Sequence, residues 1–140
     1  MCGRSNPRGL YMTFWDNGDD EVYAEYTIPS DYEGYPGIVH GGVQAAILDE
    51  IVGRVSLVEN FHHFMMSVRL DVKFRLSVPI NEPLRFLGRR ITLSSRRGRA
   101  EGHIYLPDGR LATEASMTLV RVPERLLGSN VDCLQWRVDE

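Results

Sequence analysis

In MSVRLDVKFR, Met66, Val68, Leu70, Val72 and Phe74 alternate with Ser67, Arg69, Asp71, Lys73 and Arg75. A period of two turns one row of side chains to a core and the other to water, so the spacing predicts a half-buried strand. EVYAEYTI repeats the pattern, with Val22, Ala24, Tyr26 and Ile28 on one face. LYMTFW predicts an earlier strand, joined to EVYAEYTI by the turn DNGDD. Downstream, LRFLGRRITLSS changes phase near Gly88, which predicts a bulge there. RRGR and PDGR read as tight turns on either side of the strand AEGHIYL, and LATEASMTLVRV predicts a last strand that ends at Pro123.

Between the second and third strands the period changes. From about Gly41 to Val58 the apolar positions Val43, Ala45, Ala46, Ile47, Leu48, Ile51, Val52, Val55 and Val58 cover more than a narrow stripe. Such a helix is buried on several sides. One helix and about six strands exclude a doubly wound α/β fold. The economical arrangement is α+β, an antiparallel sheet curled around one helix.

A chain of 140 residues, 43% hydrophobic and 25% charged, predicts one globular domain over residues 1–140. Its core should run from about 8 to 123, and the aperiodic segment 124–140 should be a tail. A net charge of −3 offers no general attraction for nucleic acid, and the close arginines of RRGR lack interleaved aromatics. No stretch approaches membrane-spanning length, and the start lacks the apolar run of a signal peptide. Cys2 and Cys133 are far apart and have no ligand spacing, so reduced thiols and a cytoplasmic location are expected. His62 and His63 have no partnering ligands at metal spacing, so no metal is expected.

The candidate chemistry lies in YPGIVHGGVQAAILDEIVG. A helix N-terminus presents unpaired N–H groups and a partial positive charge. Glycine at positions 41 and 42 lets a ligand approach those donors, which is an oxyanion hole in outline. Asp49 stands among apolar neighbours, where an unpaired carboxylate is costly. Ala45 and Gly53, one turn to either side, leave a slot beside it. The plainer alternatives are a tightly packed loop at Gly41–Gly42, and an Asp49 that is paired with an arginine or faces water with Glu50.

Gly41 and Asp49 are eight residues apart, about 12 Å along one helix. They cannot both reach one reacting carbon from the same chain. Two helices crossing antiparallel about a two-fold axis, with Ala45 at the midpoint, would bring Asp49 of one copy to Gly41 of the other. That places the expected site between subunits of an isologous dimer.

The segment GYPGIVHGGVQAAILDE, set after two strands and before alternating ones, resembles the hotdog-fold acyl-CoA thioesterases of the PaaI-like group. The opening CGRSNPRGL is also similar to a segment of that group, and the resemblance spans about Cys2 to Pro123. It implies a hotdog homodimer, with a possible dimer of dimers, that hydrolyses an acyl-CoA at the subunit interface. Coenzyme A is then part of the substrate, and no cofactor is implied. Gly41 would polarise the carbonyl, Gly42 would help bind the substrate, and Asp49 would be general base or nucleophile. His40 would orient the thioester or cap the helix.

Some relatives carry Ser or Thr at the position of Ser67 to hold the attacking water. Strand parity here puts Ser67 on the wet face, so it could act only near the strand end or across the dimer. The resemblance also implies that the nucleotide end of CoA meets the turn Arg96, Arg97, Gly98, Arg99 and the segment Phe74, Arg75, Ser77. Some relatives have Asn or Gln where this chain has Gly34. Alternatives to hydrolysis are a non-catalytic acyl-CoA binding or sensing protein and a hotdog hydroxyacyl-thioester dehydratase. Pocket depth is expected to depend on Tyr35, Phe61, Phe64 and the tail.

Overall fold

The computed structural model describes residues 6–127. Six strands form one antiparallel sheet: β1 (Trp15–Asp16), β2 (Glu21–Thr27), β3 (Met65–Phe74), β4 (Pro83–Leu93), β5 (Arg97–Tyr105) and β6 (Leu111–Arg121). They lie in the order β1-β2-β4-β5-β6-β3, so β3 is an edge strand. The helix α1 (Gly41–Arg54) crosses one face of the sheet, and a short α2 (Glu124–Leu127) follows β6. This is the hotdog arrangement expected from the sequence. Cys2, Cys133 and all of the tail beyond Leu127 lie outside the described residues.

The core forms where the two periodicities meet. Ile47, Leu48, Ile51 and Val52 of α1, with Val55 just after it, pack on the inward row of the sheet, which includes Val22, Ala24, Leu84, Phe86, Ile104, Met117 and Leu119. Val43 and Val58 are only partly buried against it. Close approach is possible because Gly88 and Gly102 face the helix. A Cβ on Gly88 would lie 2.9 Å from the Ile51 carbonyl oxygen, and one on Gly102 would lie 2.8 Å from Val52 Cγ2.

Several local expectations are corrected. Of LYMTFW only Trp15 pairs as a strand, at the start of β1, although Leu10, Met12 and Phe14 are buried. Tyr11 has φ 54°, which breaks the extended run. The helix ends at Arg54 instead of Val58, and the Ser56 hydroxyl closes it by donating to the Gly53 carbonyl at 3.0 Å. The β4 irregularity falls between Arg90 and Thr92, not at Gly88, which is a packing position against the helix. RRGR is not wholly a turn either, since β5 begins at Arg97.

Candidate active site

The chain enters α1 through a braced loop. Val39 N–H donates to the Val78 carbonyl and His40 N–H to the Tyr32 carbonyl, both at 2.9 Å. Gly37 adopts φ 79°, a turn conformation that suits glycine. His40 is the N-cap, and its Nδ1 accepts the Gly42 N–H at 2.9 Å. A Cβ on Gly42 would lie 3.1 Å from that nitrogen, so the glycine makes room for the imidazole. The Gly42 donor is therefore engaged. The Gly41 N–H has no acceptor among the described residues. Gly34 also has a packing reason, because its Cβ would lie 3.0 Å from His40 Cα.

A buried pair missed in the sequence fastens this helix start. Gln44 Nε2 donates to the Val39 carbonyl at 3.0 Å, and the Thr113 hydroxyl donates to Gln44 Oε1 at 2.6 Å. Both side chains are almost wholly buried, where each polar atom needs a partner. A Gln in an apolar run was the only local signal. Its partner is 69 residues away.

One turn before the end of α1, Asp49 Oδ1 accepts the Ser67 hydroxyl at 2.6 Å. The expected parity of β3 is wrong at this end. Val68 is the extra residue of a bulge between Ser67 and Arg69. Ser67 consequently pairs with Leu119, while Leu70 pairs with Met117 and Val72 with Ala115. Ser67 thus shares the helix-facing side with Leu70 and Val72, and Met66 and Val68 are exposed.

Asp49 is also not buried among apolar groups as expected. It is exposed in the single chain, because its side of α1 looks out beside the edge strand. The alternative of an arginine partner is not met among the described residues: Arg54 binds Glu50 at 2.7 Å and lies 4.2 Å over the Phe14 ring.

Asp49 and Ser67 border a cleft of about 380 Å³ between α1 and the start of β3, floored by Leu57, Phe64, Met117 and Leu119. Tyr35 and Phe61, expected to shape it, do not line it. At the other end of β3, the Phe74 ring comes within 3.4 Å of where a Gly41 Cβ would stand. The structure therefore makes two clusters, Asp49–Ser67 and His40–Gly41–Gly42–Phe74, at opposite ends of one strand.

The remaining candidates gather less closely. Arg75 donates to Glu114 at 2.7 Å, and this hydrogen bond holds the Glu114 carboxyl below its usual range. Ser77 is exposed. Arg97 and Arg99 are exposed and alternate with the buried Gly98 and Ala100, so they project from the face opposite α1. Arg96 is exposed beside them. None of these arginines reaches the Asp49 cleft of its own chain.

A family model described as the thioesterase superfamily matches residues 36–113. Among solved structures, the chain is similar to a thioesterase superfamily protein at 28% identity and TM-score 0.66. That match covers 71% of this chain and 48% of the other, so the chain spans about half of that relative's length. A Streptococcus mutans UA159 protein bound to acetyl CoA is similar at 14% identity and TM-score 0.75, over 86% of this chain and 95% of that one. A hypothetical thioesterase with coenzyme A from Streptococcus pneumoniae TIGR4 is similar at 16% identity and TM-score 0.73, over 79% and 88%. At the last two identities the likeness is one of fold. No curated protein matches the chain.

Proposed function

The chain belongs to the thioesterase superfamily, and on that footing we propose that it hydrolyses an acyl-CoA to a free acid and CoA, as a PaaI-like hotdog enzyme. The observation that carries this reading is the 2.6 Å Ser67–Asp49 hydrogen bond at the rim of the cleft. A hydroxyl on one carboxylate oxygen fixes the orientation of the other toward substrate or water. Asp49 takes a proton from water as the oxygen attacks the thioester carbon, and the C–S bond then breaks to release the CoA thiol. The alternative course is direct attack by Asp49, which expels the CoA thiolate and forms a mixed anhydride that water then cleaves. The open Gly41 N–H receives the carbonyl oxygen as it gains charge. His40 positions that donor by capping its neighbour. Structures of this fold that hold acetyl CoA and CoA support a CoA thioester as substrate.

A two-fold dimer would complete the site. Ser67 and Phe74 mark the two half-sites and are roughly 20 Å apart along β3. Antiparallel pairing of β3 with its copy about Leu70–Asp71 would set each Asp49–Ser67 opposite the other chain's Gly41–Phe74. The edge suits this pairing, since it exposes Met66, Val68 and Phe74. Light scattering should give twice the chain mass, and Val68→Lys should shift the protein toward monomer. A monomeric wild type would remove the shared site.

The exposure of Asp49 in the single chain favours a second reading, an acyl-CoA binding protein without turnover. One assay separates the two. Thiol release from aromatic and aliphatic acyl-CoAs is measured for wild type and Asp49→Asn. Hydrolysis predicts wild-type turnover and a loss of about a hundredfold or more in the variant. Binding without thiol release would leave the second reading standing, and full activity in the variant would exclude the role given to Asp49.

A further inference from the structure

Gly53 lies in the last turn of α1, about 6 Å beyond Asp49. A glycine in a helix is less favourable than alanine, least so in the last turn, and neither a left-handed backbone nor a close approach requires one here. Its φ is not positive, and among the described residues an added Cβ would meet nothing within 4 Å. The contrast is with Gly88 and Gly102, where a Cβ would strike the helix.

The empty space belongs to the cleft that holds Asp49, which Gly53 lines together with Phe64, Met65, Met66 and Met117. Helical side chains lean toward the N-terminus, so a side chain at position 53 would cross the cleft toward Asp49. Two polar groups bordering this part are engaged, although the buried Arg54 Nε has no hydrogen-bond partner among the described residues. The Ser56 hydroxyl donates to the Gly53 carbonyl at 3.0 Å, and Arg54 binds Glu50 at 2.7 Å. Three methionine side chains, Met65, Met66 and Met117, can adapt to an apolar substituent there.

We infer that Gly53 determines acyl specificity: its missing side chain opens the passage beyond Asp49, and the protein takes apolar acyl groups of medium length. This rests on the thioesterase reading above. The test measures kcat and KM for acetyl-, butyryl-, hexanoyl-, octanoyl- and decanoyl-CoA with wild type, Gly53→Ala and Gly53→Val. Thermal melting and light scattering accompany each variant.

Wild-type kcat/KM should rise about tenfold or more from acetyl to octanoyl, the scale at which apolar pockets discriminate chain length. Gly53→Val should lower octanoyl kcat/KM by about tenfold or more, chiefly through KM, while acetyl falls far less. Gly53→Ala should give a smaller shift in the same direction and melt no lower than wild type. An unchanged length profile in Gly53→Val, or an equal loss at every length, would overturn the inference while leaving hydrolysis intact. So would a wild type that prefers acetyl, or a variant that changes oligomeric state, since the space would then belong to a partner chain. A wild type inactive on the whole series would instead defeat the thioesterase reading, and this inference with it.

Discussion

On the sheet side of α1, glycines remove obstacles: Gly88 admits the Ile51 carbonyl and Gly102 admits the side chains of Val52 and Leu48. On the Asp49 side, the small residue is on the helix itself, and at Gly53 the space it leaves is unfilled. One helix thus meets dense packing on one side and a cleft on the other. Protein interiors are close-packed, so a glycine that lets two elements touch is explained by the fold. A helical glycine beside open space is not, and it directs attention to what else could occupy that space. Its position next to a carboxylate held by a hydroxyl makes the second side the one to test for function.

The comparison breaks most easily at Gly88. Because the obstruction there is backbone, Gly88→Ala should destabilise the fold by about 2 kcal/mol and lower Tm by several degrees. Thermal melting checks this, and an unchanged Tm would show that the helix is less tightly seated than described.

Ser67 sharpens the functional side. Ser67→Ala should lower kcat about tenfold without lowering Tm, whereas Ser67→Thr, which keeps the hydroxyl, should retain most activity. Parallel kinetics of the two variants separate the hydrogen bond to Asp49 from mere occupancy of the site.

Gly102→Ala should cost less than Gly88→Ala, about 1 kcal/mol, because the atoms it would meet belong to the Val52 and Leu48 side chains and not to backbone. A cost equal to that of Gly88→Ala would mean that this difference between backbone and side-chain obstruction does not matter here.

The charged face away from α1 should show the smallest effect. Glu114 titrates below its ordinary value of 4.5 because Arg75 donates a hydrogen bond to it, so its contribution is present above that value and lost as pH falls through the lowered one. The pair is solvent-exposed, so the effect is small. Urea midpoints at neutral and acidic pH should differ slightly less in Glu114→Gln than in wild type.

Much of this molecule was legible along the chain. Alternation in EVYAEYTI and LATEASMTLVRV located β2 and β6, because a half-buried strand repeats every two residues whatever its partners are. The glycine pair and the helical period placed the start of α1 within the same short segment as its candidate chemistry. Gly41 and Asp49 were identifiable as residues of interest from their types and their separation alone.

Their surroundings were not legible. Ser67 faces Asp49 only because Val68 bulges against Leu119 and Thr118, about fifty residues downstream. Gln44 is satisfied by Thr113 in the same long-range way. The cleft joins α1 to Met117 and Leu119 on a strand that nothing near Asp49 could reveal. Periodicity is a local property of the covalent chain, so the sequence by itself determined the elements and the residue types they carry. Register and the match between glycines and helix arise when distant segments pack, and one added residue in a ladder reverses every side chain beyond it. Tertiary structure alone therefore decided which face Ser67 occupies, how open Asp49 is, and which glycine is filled or empty.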